Sequence, residues 1–62
     1  MLQLADTVKI NDNGLIGEIC DVCDGYCYVD VDIDKLNGIK PDVADCLFHR
    51  KIEDVTLIKS AS

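Results

Sequence analysis

Residues 20–27 read Cys20-Asp21-Val22-Cys23-Asp24-Gly25-Tyr26-Cys27. Two readings compete for this stretch. Three cysteines in eight positions resemble the start of a metal site. Asp24-Gly25, however, is among the strongest hairpin signals, because a two-residue type I′ turn needs positive φ at both central positions. With Asp24-Gly25 as the turn, Val22 sits opposite Cys27 and Cys20 opposite Val29, both pairs on a buried face. Cys20 and Cys27 then become small core residues. Ile19 has the wrong parity, and one bulge between Ile19 and Cys20 is expected to bring it opposite Val31. Cys23 lies beside the turn and faces the other way.

The metal alternative has its own logic. Cys20-x2-Cys23 and Cys46-x2-His49 are two ligand pairs with acceptable zinc spacing. A zinc knuckle, however, needs its two cysteines to converge from a turn. Here Cys20 and Cys23 flank one continuous strand on opposite faces, and Cys46 and His49 diverge if they too lie on a strand. Free cysteine is also among the most buried residue types. Core thiols are therefore expected, with no metal or other cofactor. Cys20, Cys23, Cys46 and His49 form the alternative zinc set. If a disulfide forms, Cys23 with Cys27 across the turn is the nearest pair.

The pattern continues on both sides. Upstream, Asp6 to Ile10 alternates with Val8 and Ile10 on one side, then Asn11-Asp12-Asn13-Gly14 signals a turn. The second strand runs from Leu15 to Val22, and its interior Gly17 implies a bulge or a close backbone approach. Downstream, Tyr26 to Ile33 places Cys27, Val29, Val31 and Ile33 on one face and Tyr26, Tyr28, Asp30 and Asp32 on the other. Asp34 to Asp45 reads as a loop with one helical turn near Pro41-Asp42-Val43-Ala44. Cys46 to Arg50 is a fourth strand, Lys51 to Asp54 a 3₁₀-like turn, and Val55 to Ile58 a closing strand. Lys59 to Ser62 should fray. The expected core is Val8, Ile10, Ile19, Val22, Val29, Val31, Phe48, Val55 and Leu57, completed by Cys20 and Cys27.

The chain has 62 residues and a formal net charge of -6. That is one small domain, residues 1–62, able to bury only about 60% of its unfolded surface. An acidic balance opposes nucleic acid, since phosphate contacts require basic side chains. Only Arg50 and Lys51 are adjacent cations. No apolar run approaches the roughly 20 residues of a membrane span. Met1 to Asp6 lacks the basic region of a signal peptide, so a cytoplasmic location is expected.

Candidate sites follow from these faces. Asp30-Val31-Asp32-Ile33-Asp34 resembles the opening of a calcium loop, but Lys35 and Pro41 stand where the pattern needs glycine and glutamate. No serine or threonine is placed for a triad with His49, and a Cys46–His49 pair lacks a catalytic context. The chain is not expected to be an enzyme. Tyr26 and Tyr28 share a face with Asp30 and Asp32, and tyrosine is favoured at interfaces. These four residues are the candidate protein contact.

The layout resembles KOW-type and related SH3-like small barrels. The resemblance lies in Asp6-Thr7-Val8-Lys9-Ile10 with Gly14-Leu15-Ile16-Gly17-Glu18-Ile19, the hairpin strand Tyr26-Cys27-Tyr28-Val29-Asp30-Val31, and the closing run Phe48 to Ile58. It implies a mostly β, five-stranded SH3-like barrel with a short 3₁₀ turn before the last strand. KOW modules often bind RNA or transcription and ribosomal proteins, but the basic loops they use for RNA are missing here. The expected function is non-enzymatic protein binding through an acidic surface, toward a partner with a basic surface. A regulatory subunit or a small inhibitor encoded by a phage or mobile element fits that description. A zinc-stabilised domain, a KOW-like RNA-binding module and a homo-oligomer sealed by edge-strand pairing are the alternatives.

Overall fold

In the computed structural model, which describes residues 1–62, the alternating segments become five strands. They are β1 (Thr7–Ile10), β2 (Ile16–Cys23), β3 (Tyr26–Asp30), β4 (Leu47–Lys51) and β5 (Val55–Lys59). All pair antiparallel in one sheet of order β4-β3-β2-β1-β5. There is no α-helix. Two 3₁₀ turns lie at Ile33–Lys35 and Ile52–Asp54, the second directly before the last strand. No helix is long and apolar enough to cross a membrane.

The expected five strands and the 3₁₀ turn before the last of them are present, in a sheet that is not closed. β4 and β5 are its two edges, with no ladder between them. The reason lies in the turn that joins them. Ile52 N–H donates to the Gly25 carbonyl at 2.9 Å, tethering the turn to the β2–β3 hairpin. Asn11 N–H donates to the Asp54 carbonyl at 3.0 Å, tethering its far end to the β1–β2 loop. β4 runs back along β3 while β5 runs along β1.

The hairpin forms as its sequence demands. Asp24 and Gly25 take positive φ of 52° and 80°, and Val22 pairs with Cys27. A bulge follows, but on the other strand from the expected one. Ile19 pairs with Val29 and Asp21 with Tyr28, so Cys20 is the extra residue on β2. Ile19 keeps its inward face, and Cys20 is turned out and exposed. Inserting one residue on the bulged strand restores parity at once.

Val8, Ile10, Leu15, Ile19, Cys27, Val29, Val31, Phe48 and Val55 form one buried cluster. Every strand contributes to it. A single sheet without a covering helix can bury such a cluster only by curling round it, and at Gly17 the backbone of β2 comes close to β3. A Cβ there would lie 2.9 Å from Val29 Cγ1 and closer still to the Asp30 carbonyl oxygen. The close approach inferred from sequence is thus the reason for this glycine.

Three expected core positions are corrected. Cys20 leaves the core through the bulge. Val22 lies at the hairpin end and is only half-buried. Leu57 pairs with Val8 but sits on an edge strand and stays 48% exposed. Ile33, expected on one strand face with Cys27, Val29 and Val31, is exposed because β3 ends at Asp30 and the chain turns into a 3₁₀ turn. Leu15, not expected in the core, is buried.

The connection between β3 and β4 has no helical turn at Pro41–Ala44. Asp42 and Val43 N–H both donate to the Leu47 carbonyl, and Leu47 N–H donates back to Val43. Val43 and Leu47 thereby form a β-bridge around Ala44, whose φ is 56°. The C-terminal tail is also docked where fraying was expected. Ala61 N–H donates to Asp6 Oδ1 at 2.8 Å, and Gln3 N–H to Asp6 Oδ2 at 2.8 Å. Asp6 is buried and fully occupied by these two partners.

Candidate protein-contact surface

The face of the sheet opposite the core carries the four candidate residues and their cross-strand neighbours. Tyr26, Tyr28 and Asp30 alternate outward along β3, and Asp32 follows just beyond the strand end, exposed. Register adds the flanks. On β2, Cys23 lies opposite Tyr26, Asp21 opposite Tyr28 and Glu18 opposite Asp30. On β4, Lys51, His49 and Leu47 lie opposite the same three residues.

His49 is the member that sequence reasoning missed. Its ring stacks on Tyr26 at 4.9 Å between centroids, with 17° between planes. It also meets Tyr28 at 4.7 Å and 31°. One imidazole therefore joins two tyrosines into a continuous aromatic patch, a geometry in which ring pairs attract beyond their area of contact. Tyr26 is 40% exposed, Tyr28 half-buried and His49 exposed. The strand parity of Phe48 in and His49 out is visible in the sequence. The register of β4 against β3 is not, because the connection from Val31 to Cys46 is long and irregular.

The carboxylates occupy the other end of the same face. Glu18, Asp30 and Asp32 are exposed and surround a cavity of about 210 Å³. Interaction with Asp30, with burial second, pushes the Cys46 thiol above its ordinary range. Partial loss of solvent around the otherwise exposed Cys20 thiol raises it first, and the Asp30 and Asp21 charges raise it further. Burial raises Cys27 as well. Nucleophilic chemistry and metal binding both need the thiolate, and these three environments favour the neutral thiol.

The zinc set does not come together as one ligand group. Cys20 is at the bulge, Cys23 beside the hairpin turn, Cys46 against Asp30, and His49 between the tyrosines. All four cysteines are free. No group of three or more His, Cys, Asp or Glu side chains is placed to hold a metal ion. Asp30, Asp32 and Asp34 border one concavity but are not placed as a metal-holding group.

Arg50 is committed elsewhere. Its Nε donates to Asp12 Oδ2 at 2.7 Å and its Nη2 to Asp12 Oδ1 at 3.2 Å, while Nη1 pairs with Asp42. The guanidinium carbon lies 5.6 Å from the Phe48 ring centre. The hydrogen bond to Asp12 holds the Arg50 pKa above its usual value against the opposing cost of burial. Arg50 and Lys51 are adjacent in sequence, but only Lys51 stands free on the outer face. No protein-family model, curated protein or solved structure matches this chain, so the resemblance to KOW-type modules rests on strand pattern alone.

Proposed function

We propose that this chain is a non-enzymatic protein-binding module of SH3-like design that works through the outward face of its sheet, toward a partner with a basic surface. One observation carries the reading: Tyr26, His49 and Tyr28 form an exposed aromatic stack with carboxylates in the neighbouring rows. Aromatic side chains supply large contact area for few frozen torsions, and they concentrate at interfaces. The surrounding negative charge selects for a cationic partner and steers its approach.

Further features support it. With Arg50 held by Asp12 and Asp42, the one adjacent pair of cations in the sequence, Arg50-Lys51, does not offer two free charges to phosphate. The raised thiols are poor nucleophiles. The curled sheet, with β1 shared between β2 and β5 and a 3₁₀ turn before the last strand, supports the SH3-like assignment. A regulatory subunit or small inhibitor fits a module that offers one face and no reaction.

The test uses the double variant Tyr26→Ser/His49→Ser, whose positions are exposed and outside the core. Cross-linking and affinity capture from cells with wild type and variant in parallel should recover basic partners with wild type alone. Their retention should fall as NaCl rises from 0.05 to 0.5 M, roughly the range over which the screening length shortens from above 10 Å toward 4 Å. Partners retained equally by the variant, or indifferent to salt, would refute the reading.

A further inference from the structure

All three concavities of the molecule border one segment, residues 30–35. The one of about 210 Å³ lies between β1, β2 and the end of β3, on the outward face next to Tyr28. Glu18, Asp30 and Asp32 line it, and Lys35 is its one cation. Lys35 lies 3.9 Å from Asp32 with both side chains mostly exposed, a pairing worth little. Two apolar shoulders rise beside the carboxylates: Ile16 at 50% and Ile33 at 68% exposure, neither covered by any element. Ile16 belongs to the same cavity, and Ile33 to the neighbouring concavity that shares Asp30 and Asp32.

An acidic cavity with apolar shoulders, one row from an aromatic stack, fits a particular side chain. Arginine carries a planar fork that pairs with carboxylates through parallel hydrogen bonds, and it stacks on aromatic rings. Its stem lies along apolar surface while its charged head pairs. We infer that the partner is recognised through an arginine-bearing extended segment whose guanidinium enters the cavity between Glu18, Asp30 and Asp32, with the adjoining residues crossing Tyr28 and His49. This rests on the protein-binding reading and adds to it the chemistry of the partner.

The experiment is a two-dimensional ¹⁵N–¹H NMR titration of the whole chain with three peptides. They are Ac-Ala-Arg-Ala-Arg-Ala-NH2, its lysine analogue, and its citrulline analogue, which keeps the shape and removes the charge. The arginine peptide should shift the amides of residues 16–18 and 30–35 together with Tyr28 and His49. Lysine should act more weakly, and citrulline not at all. Glu18→Gln/Asp32→Asn should weaken the arginine peptide about tenfold at low salt, equivalent to about 1.4 kcal/mol. Glu53→Gln/Asp54→Asn, which removes the same charge at a distant turn, should change it less than twofold. Shifts spread evenly over all acidic residues, equal losses in both variants, or no shifts at all overturn the inference. Shifts confined to Tyr26, Tyr28 and His49 overturn the cavity while leaving the protein-binding reading standing. That reading fails separately, through the Tyr26→Ser/His49→Ser capture.

Discussion

Gly17 is the residue where the absence of a side chain matters most. β2 passes so close to β3 there that a methyl group would meet the Asp30 carbonyl and Val29. Backbone cannot swing aside as a flexible side chain can, so Gly17→Ala should cost about 2–3 kcal/mol, in the range of other overpacking changes, measured by urea unfolding. Asp6 has a different role, accepting from Gln3 and Ala61. The Ala61 N–H, then the Gln3 N–H, hold its pKa below the ordinary carboxylate value. A depressed folded pKa means stability that is complete above the unfolded value of about 3.9 and is lost as pH falls through the folded one. The melting-temperature gap between wild type and Asp6→Asn should therefore be constant from pH 7 to about pH 5 and shrink below about pH 4. A gap unchanged down to pH 2 would mean that the carboxylate charge plays no part. Arg50 ties two loops to one strand through Asp12 and Asp42. Because both carboxylates are substantially exposed, Arg50→Met should cost only about 1–2 kcal/mol, toward the low end for charge-assisted bonds, and high salt should narrow the difference.

At the scale of elements, the β2–β3 hairpin was legible because its information is local. Asp24-Gly25 specifies the turn, the turn specifies Val22 opposite Cys27, and alternation does the rest. The bulge was also legible, since Ile19 and Val22 cannot share a face without one. Which strand holds the extra residue was not, because either choice restores parity at Ile19. Tertiary packing decided it by placing Ile19 over Val29 and turning Cys20 out. The candidate site divides the same way. Tyr26, Tyr28 and Asp30 follow from the period of one strand, whereas His49 joins them through a ladder between segments 21 residues apart, counted from Tyr28 to His49. The cysteines give this hairpin a chemical test. Iodoacetamide at neutral pH should leave Cys27 unmodified in the native protein, because it is fully buried and its thiol is raised. Modification of Cys27 should appear only in denaturant, as read by mass spectrometry of digested peptides.

Over the whole molecule, charge and edges matter more than any one contact. A chain of 62 residues carrying -6 repels itself when compact. Raising NaCl from 0.02 to 0.5 M should lift the melting temperature by several degrees, since about 1 kcal/mol shifts it by roughly 4–8 °C at this size. A fall instead would mean that screening of the Arg50 pairs outweighs relief of repulsion. Each open edge carries a feature that discourages strand addition. At β4 the Val43 bridge occupies one end, and at β5 Ile58 is an extra residue between Leu57 and Lys59. The docked tail has a further consequence. Because one carboxylate gathers both Gln3 and Ala61, the two ends of the chain are neighbours in space. A short linker from Ser62 to Met1, with new termini opened between Asn37 and Gly38 at an exposed tight turn, should yield a circularly permuted protein with the same sheet. Order along the chain would then be rearranged while every ladder of the sheet stayed intact.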